Sequence, residues 1–299
     1  MHDTKTRSGA IAAVSACVLW GLLPIYWNLL KGASAYEIFT HRVVWSCVFM
    51  AFVLLLSGHI QRSLQEAKEL FRHEHKRLGY IACASIVISI NWLCYIWSVN
   101  HGHVLEASIG YYINPLVNVV MGVIFFRERL LPAKKVSLGL ALIGILYMIY
   151  TASGALWISF LLAITFASYG LFKKLAHVEP VLSVALETLF VTPLCLAYIL
   201  YIEDIGIGHF GQSLSLSLLL IGAGAVTATP MALFTKGANL LPLNVLGFLL
   251  YVQPTLNFFV GLFIFHEPFD VSRLIGFSFI WLALIVFSLS EKAAKREDT

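Results

Sequence analysis

Tyr112-Ile113-Asn114-Pro115-Leu116-Val117-Asn118, with Gly122 and Phe125-Phe126-Arg127-Glu128 behind it, is answered 139 residues later by Tyr251-Val252-Gln253-Pro254-Thr255-Leu256-Asn257, Gly261 and Ile264-Phe265-His266-Glu267. Pro115 pairs with Pro254, Asn118 with Asn257, Gly122 with Gly261 and Glu128 with Glu267, all at one offset. A match of amide, proline, amide, glycine and acid at fixed spacing marks an internal duplication. A weaker match joins Trp20-Gly21 to Tyr169-Gly170 at an offset of 149, as loops of unequal length require.

Both motifs lie in long apolar runs. About 20 apolar residues cross a bilayer as a helix. Ten runs qualify: 9–30, 36–57, 78–99, 104–126, 134–151, 154–172, 181–201, 214–235, 243–265 and 271–290, the fifth and sixth joined by a tight turn at Ala152-Ser153-Gly154. The duplication divides them into 1–151 and 152–299, five spans each. Five is odd, so the halves run in opposite directions, the inverted repeat on which many carriers are built. The first run is longer than a signal-peptide core and reads as a retained helix.

Charge supports this count. Of the 20 Lys and Arg residues, 17 fall at the N-terminus, in the 2–3, 4–5 and 6–7 connections, after span eight and in the tail. Cytoplasmic loops collect such residues, which gives a topology with both ends inside. Lys173 and Lys174 are assigned to the 6–7 loop. Glu128 is followed by Arg129, Lys134 and Lys135, whereas Glu267 is followed by Pro268, Phe269 and Asp270, as opposite orientation requires. The connection 58–77 reads as an amphipathic element on the membrane surface, and its His73-Glu74-His75 run as solvated charge rather than a metal site.

Composition closes other classes. Of the 299 residues 59% are hydrophobic and 12% charged, with mean hydropathy +0.84; soluble domains carry about 25% charged residues. No basic arm interleaves with aromatics, so no nucleic-acid partner is expected. The five cysteines lie in apolar runs without a CxxC pair, so no disulfide or metal is expected. No cofactor is implied. The partners are the bilayer and a small-molecule substrate, with a monomer or weak homodimer as the assembly.

The sequence resembles the EamA-type drug/metabolite transporters, and within them the RarD family, through Thr40-His41-Arg42-Val43-Val44-Trp45-Ser46, Asn91-Trp92-Leu93 and Glu106-Ala107-Ser108-Ile109-Gly110-Tyr111-Tyr112 running into the motif above. The resemblance spans nearly the whole chain. It implies a ten-helix carrier fold and residence in the bacterial inner membrane. It supplies no physiological substrate, although the family's name reflects a proposed link to chloramphenicol sensitivity. One departure is His266-Glu267, where many members have Gly-Glu; this is expected to affect a loop end.

Polar groups inside a membrane are costly and gather at cavities and pathways. Glu37, His41 and Trp45 share one side of span two, with Arg42 beside them. Arg42 either neutralises a substrate carboxylate or sits in a fixed ion pair with Glu37, Glu106 or Glu187. Glu106 opens span four as a ligand or a helix-end charge. Glu187, deep in span seven, suits proton coupling, and a Glu187–Arg42 pair that breaks on substrate binding is one form of it. The remaining candidate ligands are Asn91, Trp92 and Tyr95 in span three, Tyr111, Asn114 and Asn118 in span four, and Tyr251, Gln253 and Asn257 in span nine. Pro115 and Pro254 are expected to kink their helices. The amides serve either a mid-membrane site or as glue between spans four and nine. Trp20, Tyr26 and Trp27 read as site residues or interfacial anchors, and Gly139, Gly144, Gly222 and Gly224 as points of close helix packing.

The reading that follows is a secondary transporter, an exporter of small metabolites, amino-acid-like solutes or amphipathic drugs, working by alternating access. No Walker-type loop, HExxH or nucleophile elbow occurs. An intramembrane enzyme, a channel, and a receptor or scaffold without transport are the alternatives.

Overall fold

The computed structural model describes residues 2–58, 60–151, 155–266 and 271–297, whose regular structure is entirely helical. The elements are α1 (His2–Leu29), α2 (Ala35–Leu56), α3 (Ile60–Arg72), α4 (His75–Asn100), α5 (Val104–Phe126), α6 (Pro132–Thr151), α7 (Leu156–Ala176), α8 (Pro180–Asp204), α9 (Leu214–Leu240), α10 (Leu243–Leu250), α11 (Val252–Phe263) and α12 (Val271–Glu297). Nine stretches among the described residues are long and apolar enough to cross a membrane, with α10 and α11 together forming one of them. A shorter apolar stretch, Leu274–Ser290 in α12, supplies the tenth. The chain is an all-α membrane protein of ten spans in two repeats. Spans one and two are α1 and α2, three to eight are α4 to α9, nine is α10–α11 and ten is α12.

Local chemistry sets the helix ends. Ser34 Oγ accepts the Glu37 N–H at 3.2 Å and Ser213 Oγ that of Leu216 at 3.2 Å. Glu179 caps α8 through the Leu182 N–H at 2.7 Å, with Pro180 at the first helical position. Such caps satisfy donors that a helix leaves open. The 58–77 connection contains the amphipathic helix α3, which buries Leu70 and exposes Arg62 and Lys68.

The repeat is visible in packing and backbone alike. Exchanging spans one to five with six to ten carries the one–eight pair onto six–three and the one–nine pair onto six–four, while two–seven, four–nine and five–ten map onto themselves; all are prominent pairings of the bundle. Arg127 and His266, counterparts at the motif offset, both adopt left-handed backbone, with φ of 53° and 52°. Glycine takes that conformation without strain, which is why the position before the motif's glutamate suits it. Glu267 itself, the residues to Asp270 and the Ala152-Ser153-Gly154 turn lie outside the described residues.

The helices cross closely where side chains are absent. A Cβ on Gly224 would collide with the Trp45 carbonyl, so α9 and α2 meet backbone to backbone, and Ser46 Oγ donates to the Gly224 carbonyl at 3.0 Å. Gly144 meets the Gly276 carbonyl across the five–ten pair. Gly139 meets nothing within 4 Å, so the packing role expected of it is corrected.

Several spans differ from those expected, and the eighth runs on to Leu240, which takes Lys236 into α9. The sixth span continues to Ala176 and takes Lys173 and Lys174 out of the loop; Lys173 is fully buried. Span nine is broken at Tyr251. Pro254 stands in the first turn of α11, where a missing N–H is tolerated, and the Tyr251 carbonyl accepts from both the Thr255 N–H and its hydroxyl. Span four carries Pro115 inside one uninterrupted helix.

Candidate functional site

A cavity of ≈ 120 Å³ lies among spans one, two, three, four, six, eight and nine. Arg42, Trp92, Tyr95, Tyr111, Gln253 and Asn257 line it, which brings together six residues singled out from the sequence. Trp20, Trp27, Phe166 and Tyr169 form further aromatic wall, with Pro24, Thr227 and Met231 beside them. Of these, Phe166, Thr227 and Met231 carry no sequence signal of their own. Trp20 and Tyr169 did: they are the weaker repeat match, and both line the cavity.

Arg42 is seven residues into α2, about 10 Å along the helix axis. Its guanidinium carbon lies 4.0 Å from the centre of the Trp92 ring and 5.3 Å from that of Trp27. Aromatic faces attract a cation in this way. Among the described residues Arg42 pairs with no carboxylate, and its buried Nε has no hydrogen-bond partner. The expected pairing of Arg42 with Glu37, Glu106 or Glu187 is therefore corrected, because each acid is engaged elsewhere. Glu37 accepts the His209 backbone N–H at 2.7 Å and lies 2.8 Å from its Nδ1. Glu106 lies 3.8 Å from His103. Glu187 Oε2 accepts from Lys173 Nζ at 3.0 Å and Oε1 from the Tyr169 hydroxyl at 3.1 Å, while Ser183 Oγ takes another Lys173 proton at 2.7 Å. The Lys173–Glu187 pair is missed when Lys173 is read as loop. The missed signal was Glu187 itself, since a buried acid demands a partner.

The other sequence candidates stand outside the cavity. Trp45 Nε1 donates to His41 Nδ1 at 3.3 Å, and both rings lie against Phe210 of the 7–8 connection. Asn91 Nδ2 donates to the Leu162 carbonyl and to Thr165, each at 2.9 Å. Asn114 Nδ2 donates to the Ala163 carbonyl at 3.1 Å, and Asn118 Nδ2 to Asn114 Oδ1 at 2.9 Å. These amides join spans three and four to span six, not span four to span nine. Tyr251 is buried at the break in span nine. For Asn91 and Asn114 the physical reason is that a neighbouring helix carbonyl takes a buried amide N–H as well as a ligand does.

One end of the bundle is tied across the halves. Glu128 accepts the Leu243 and Asn244 N–H groups at 2.7 and 2.8 Å, capping α10. Lys134 reaches Asn244 Oδ1 at 3.3 Å, Lys174 donates to the Leu241 carbonyl, and Arg77 donates to the Ala176 and His177 carbonyls at 2.7 and 2.9 Å. A larger groove, ≈ 560 Å³, opens among spans two, three and seven beside Ile86, Ile90, Phe190 and Leu194, and no charged residue lines it among the described residues. In a bilayer acyl chains fill such a surface, so the smaller cavity with the cation is the candidate site.

A family model described as the EamA-like transporter family matches residues 7–150 and again 152–289. An uncharacterised transporter, YojE of Bacillus subtilis (strain 168), is 40% identical over 99% of this chain and 98% of its own. Protein RarD of Escherichia coli (strain K12) is 40% identical over 100% of both chains. A chloramphenicol-sensitive protein RarD of Pseudomonas aeruginosa (strain PAO1) is 30% identical over 93% of this chain and 92% of its own.

Proposed function

We propose, from the premise that this chain belongs to the EamA-like transporter family, that it moves small metabolites across the bacterial inner membrane by alternating access, with the central cavity as its substrate site. A transporter family is not an enzyme family, and the reaction is translocation. The observation that carries this reading is Arg42, a cation within the bilayer whose partners are aromatic faces rather than a carboxylate. Intramembrane charges of this kind mark substrate pathways.

Amino-acid-like solutes and amphipathic drugs such as chloramphenicol are the substrate groups this reading covers, and export is its direction. The topology with both ends inside makes the end tied by Glu128, Lys134, Lys174 and Arg77 the cytoplasmic one. The cavity is then closed toward the cytoplasm in this conformation. The two repeats, 1–151 and 152–299, rock about the seam between spans four and nine. Proton coupling falls to Glu187, which sits one side chain behind the cavity through Tyr169.

The test is a thermal-shift screen of amino acids, nucleosides, organic acids and chloramphenicol on purified protein. It is followed by counterflow of each stabilising solute in proteoliposomes. Saturable counterflow that Asn257→Leu or Trp20→Ala weakens supports the carrier and its site. Stabilisation without flux makes the protein a receptor. Flux indifferent to Asn257→Leu and Trp20→Ala removes the cavity from the pathway.

A further inference from the structure

The polar inventory of the cavity is lopsided, and the imbalance specifies a ligand. Arg42 is the one charged side chain among the described residues that line it. A buried cation without a counter-charge is costly, and two indole faces offset only part of that cost. Arg42 Nε is a donor with no acceptor. Among the described residues no carboxylate lines the site to balance a substrate ammonium, and Glu187, behind Tyr169, already accepts from Lys173 and Tyr169. Asn257 Oδ1 and the Thr227 hydroxyl, on two other helices of the cavity, are also buried without partners. Trp20, Tyr111, Phe166 and Tyr169 line the same cavity. The volume, ≈ 120 Å³, falls well below the about 300–1,000 Å³ usual for drug-sized ligands.

From these features, together with the reading of the cavity as the substrate site on which this rests, we infer that the protein takes a small, flat organic anion of single-ring size. Its carboxylate is received by Arg42, and a hydrogen-bond donor elsewhere on the ring by Asn257. The guanidinium presents Nε and a neighbouring N–H as a planar fork that matches a carboxylate. The indole faces hold that fork flat, and the aromatic walls stack against the ring. A site built to hydrogen-bond a substrate rejects the analogue lacking that group, because its own buried polar atoms are then left unpaired. Neutral and cationic solutes of equal size are discriminated against by Arg42. Within the range of substrates proposed above, this ranks small anions first and chloramphenicol, uncharged and larger than one ring, last.

Three probes test this by equilibrium binding to the purified protein: 4-hydroxybenzoate, 4-hydroxybenzamide, which loses only the charge, and benzoate, which loses only the distal donor. 4-Hydroxybenzoate is expected to bind about tenfold or more tightly than the amide and a few-fold more tightly than benzoate. Arg42→Gln is expected to erase the preference for acid over amide, with the acid losing about tenfold or more. Arg42→Lys keeps the charge without the planar fork and is expected to retain a reduced preference, so a misfolded glutamine variant does not decide the matter. Asn257→Leu should erase only the preference for the hydroxyl. Equal binding of acid and amide, no binding of any probe, or an acid preference untouched by both Arg42 variants overturns the proposal. Counterflow of labelled 4-hydroxybenzoate in proteoliposomes is the separate arm. Binding without counterflow leaves the anion site standing and removes the carrier reading instead.

Discussion

Spans two and seven are counterparts in the repeat and pack against each other, yet they treat charge in opposite ways. Span seven places Glu187 where every strong partner is protein: Lys173 at 3.0 Å, Tyr169 at 3.1 Å, and Ser183 completing the lysine. Span two places Arg42 between two indoles with no carboxylate among the described residues. Spans four and nine show a second inequality. Asn114 and Asn118 hydrogen-bond within spans four and six, whereas their counterparts Gln253 and Asn257 line the cavity. Duplication supplied two copies of each polar position. At the amide positions one copy is consumed by packing and the other lines the cavity, so a symmetric ancestry yields an asymmetric site.

The sharpest way to break this contrast is to remove one cation from each half. Lys173→Met leaves Glu187 buried without its counter-charge, and such losses cost about 3–5 kcal/mol. The expected outcome is a large fall in thermal midpoint and yield. The double variant Lys173→Met/Glu187→Leu should recover most of that loss, because apolar replacement of a whole buried pair is often neutral. Arg42→Met should cost less than about 1 kcal/mol, since no ion pair is lost and desolvation of the cation is relieved. Thermal unfolding of the three variants in one detergent is the measurement. An Arg42→Met protein as unstable as Lys173→Met would show that Arg42 is structural.

The middle effect concerns the link between the two charged centres. Tyr169 lines the cavity and donates to Glu187. Tyr169→Phe keeps the ring against Phe234, where the stack has a centroid spacing of 5.6 Å, and removes one hydrogen bond to a charged group, worth about 1.5–3 kcal/mol. The expected outcome is lost accumulation of substrate under an imposed proton gradient with counterflow retained, because exchange needs the cavity but not the acid behind it. Unchanged accumulation would separate Glu187 from coupling and leave the Lys173 pair a structural brace.

Much of this was readable from the chain alone, and the failures have a common origin. The ten spans and the duplication follow from hydropathy and the fixed offset of 139 residues, since a bilayer leaves the backbone few alternatives. Arg42 was readable as an intramembrane charge. The partner of Glu187 was not, because Lys173-Lys174 at the end of an apolar run looks like a cytoplasmic boundary, and the helix in fact runs on to Ala176. Asn91 and Asn114 were readable as polar but not as to which neighbour they face; the Leu162 and Ala163 carbonyls take them. Direction around a helix axis depends on which spans pack together, and no local pattern in a uniformly apolar helix carries that information.

The smallest expected effect resolves how Arg42 is held. Its guanidinium carbon is 4.0 Å from the Trp92 centroid and 5.3 Å from that of Trp27; a desolvated cation–π contact is worth about 2 kcal/mol, and Coulomb attraction weakens as the separation grows. Trp92→Leu should therefore weaken binding of an anionic probe more than Trp27→Leu, because the guanidinium loses its nearer plane and must be ordered by the ligand itself. Each effect should also shrink in an Arg42→Gln background, which a double-mutant cycle reads directly. Equal losses at both tryptophans, with no dependence on Arg42, would mean that the two rings act as walls for the substrate. The cation would then be positioned by the helix alone, and the contrast with Lys173, which is held by named partners on every side, would become sharper still.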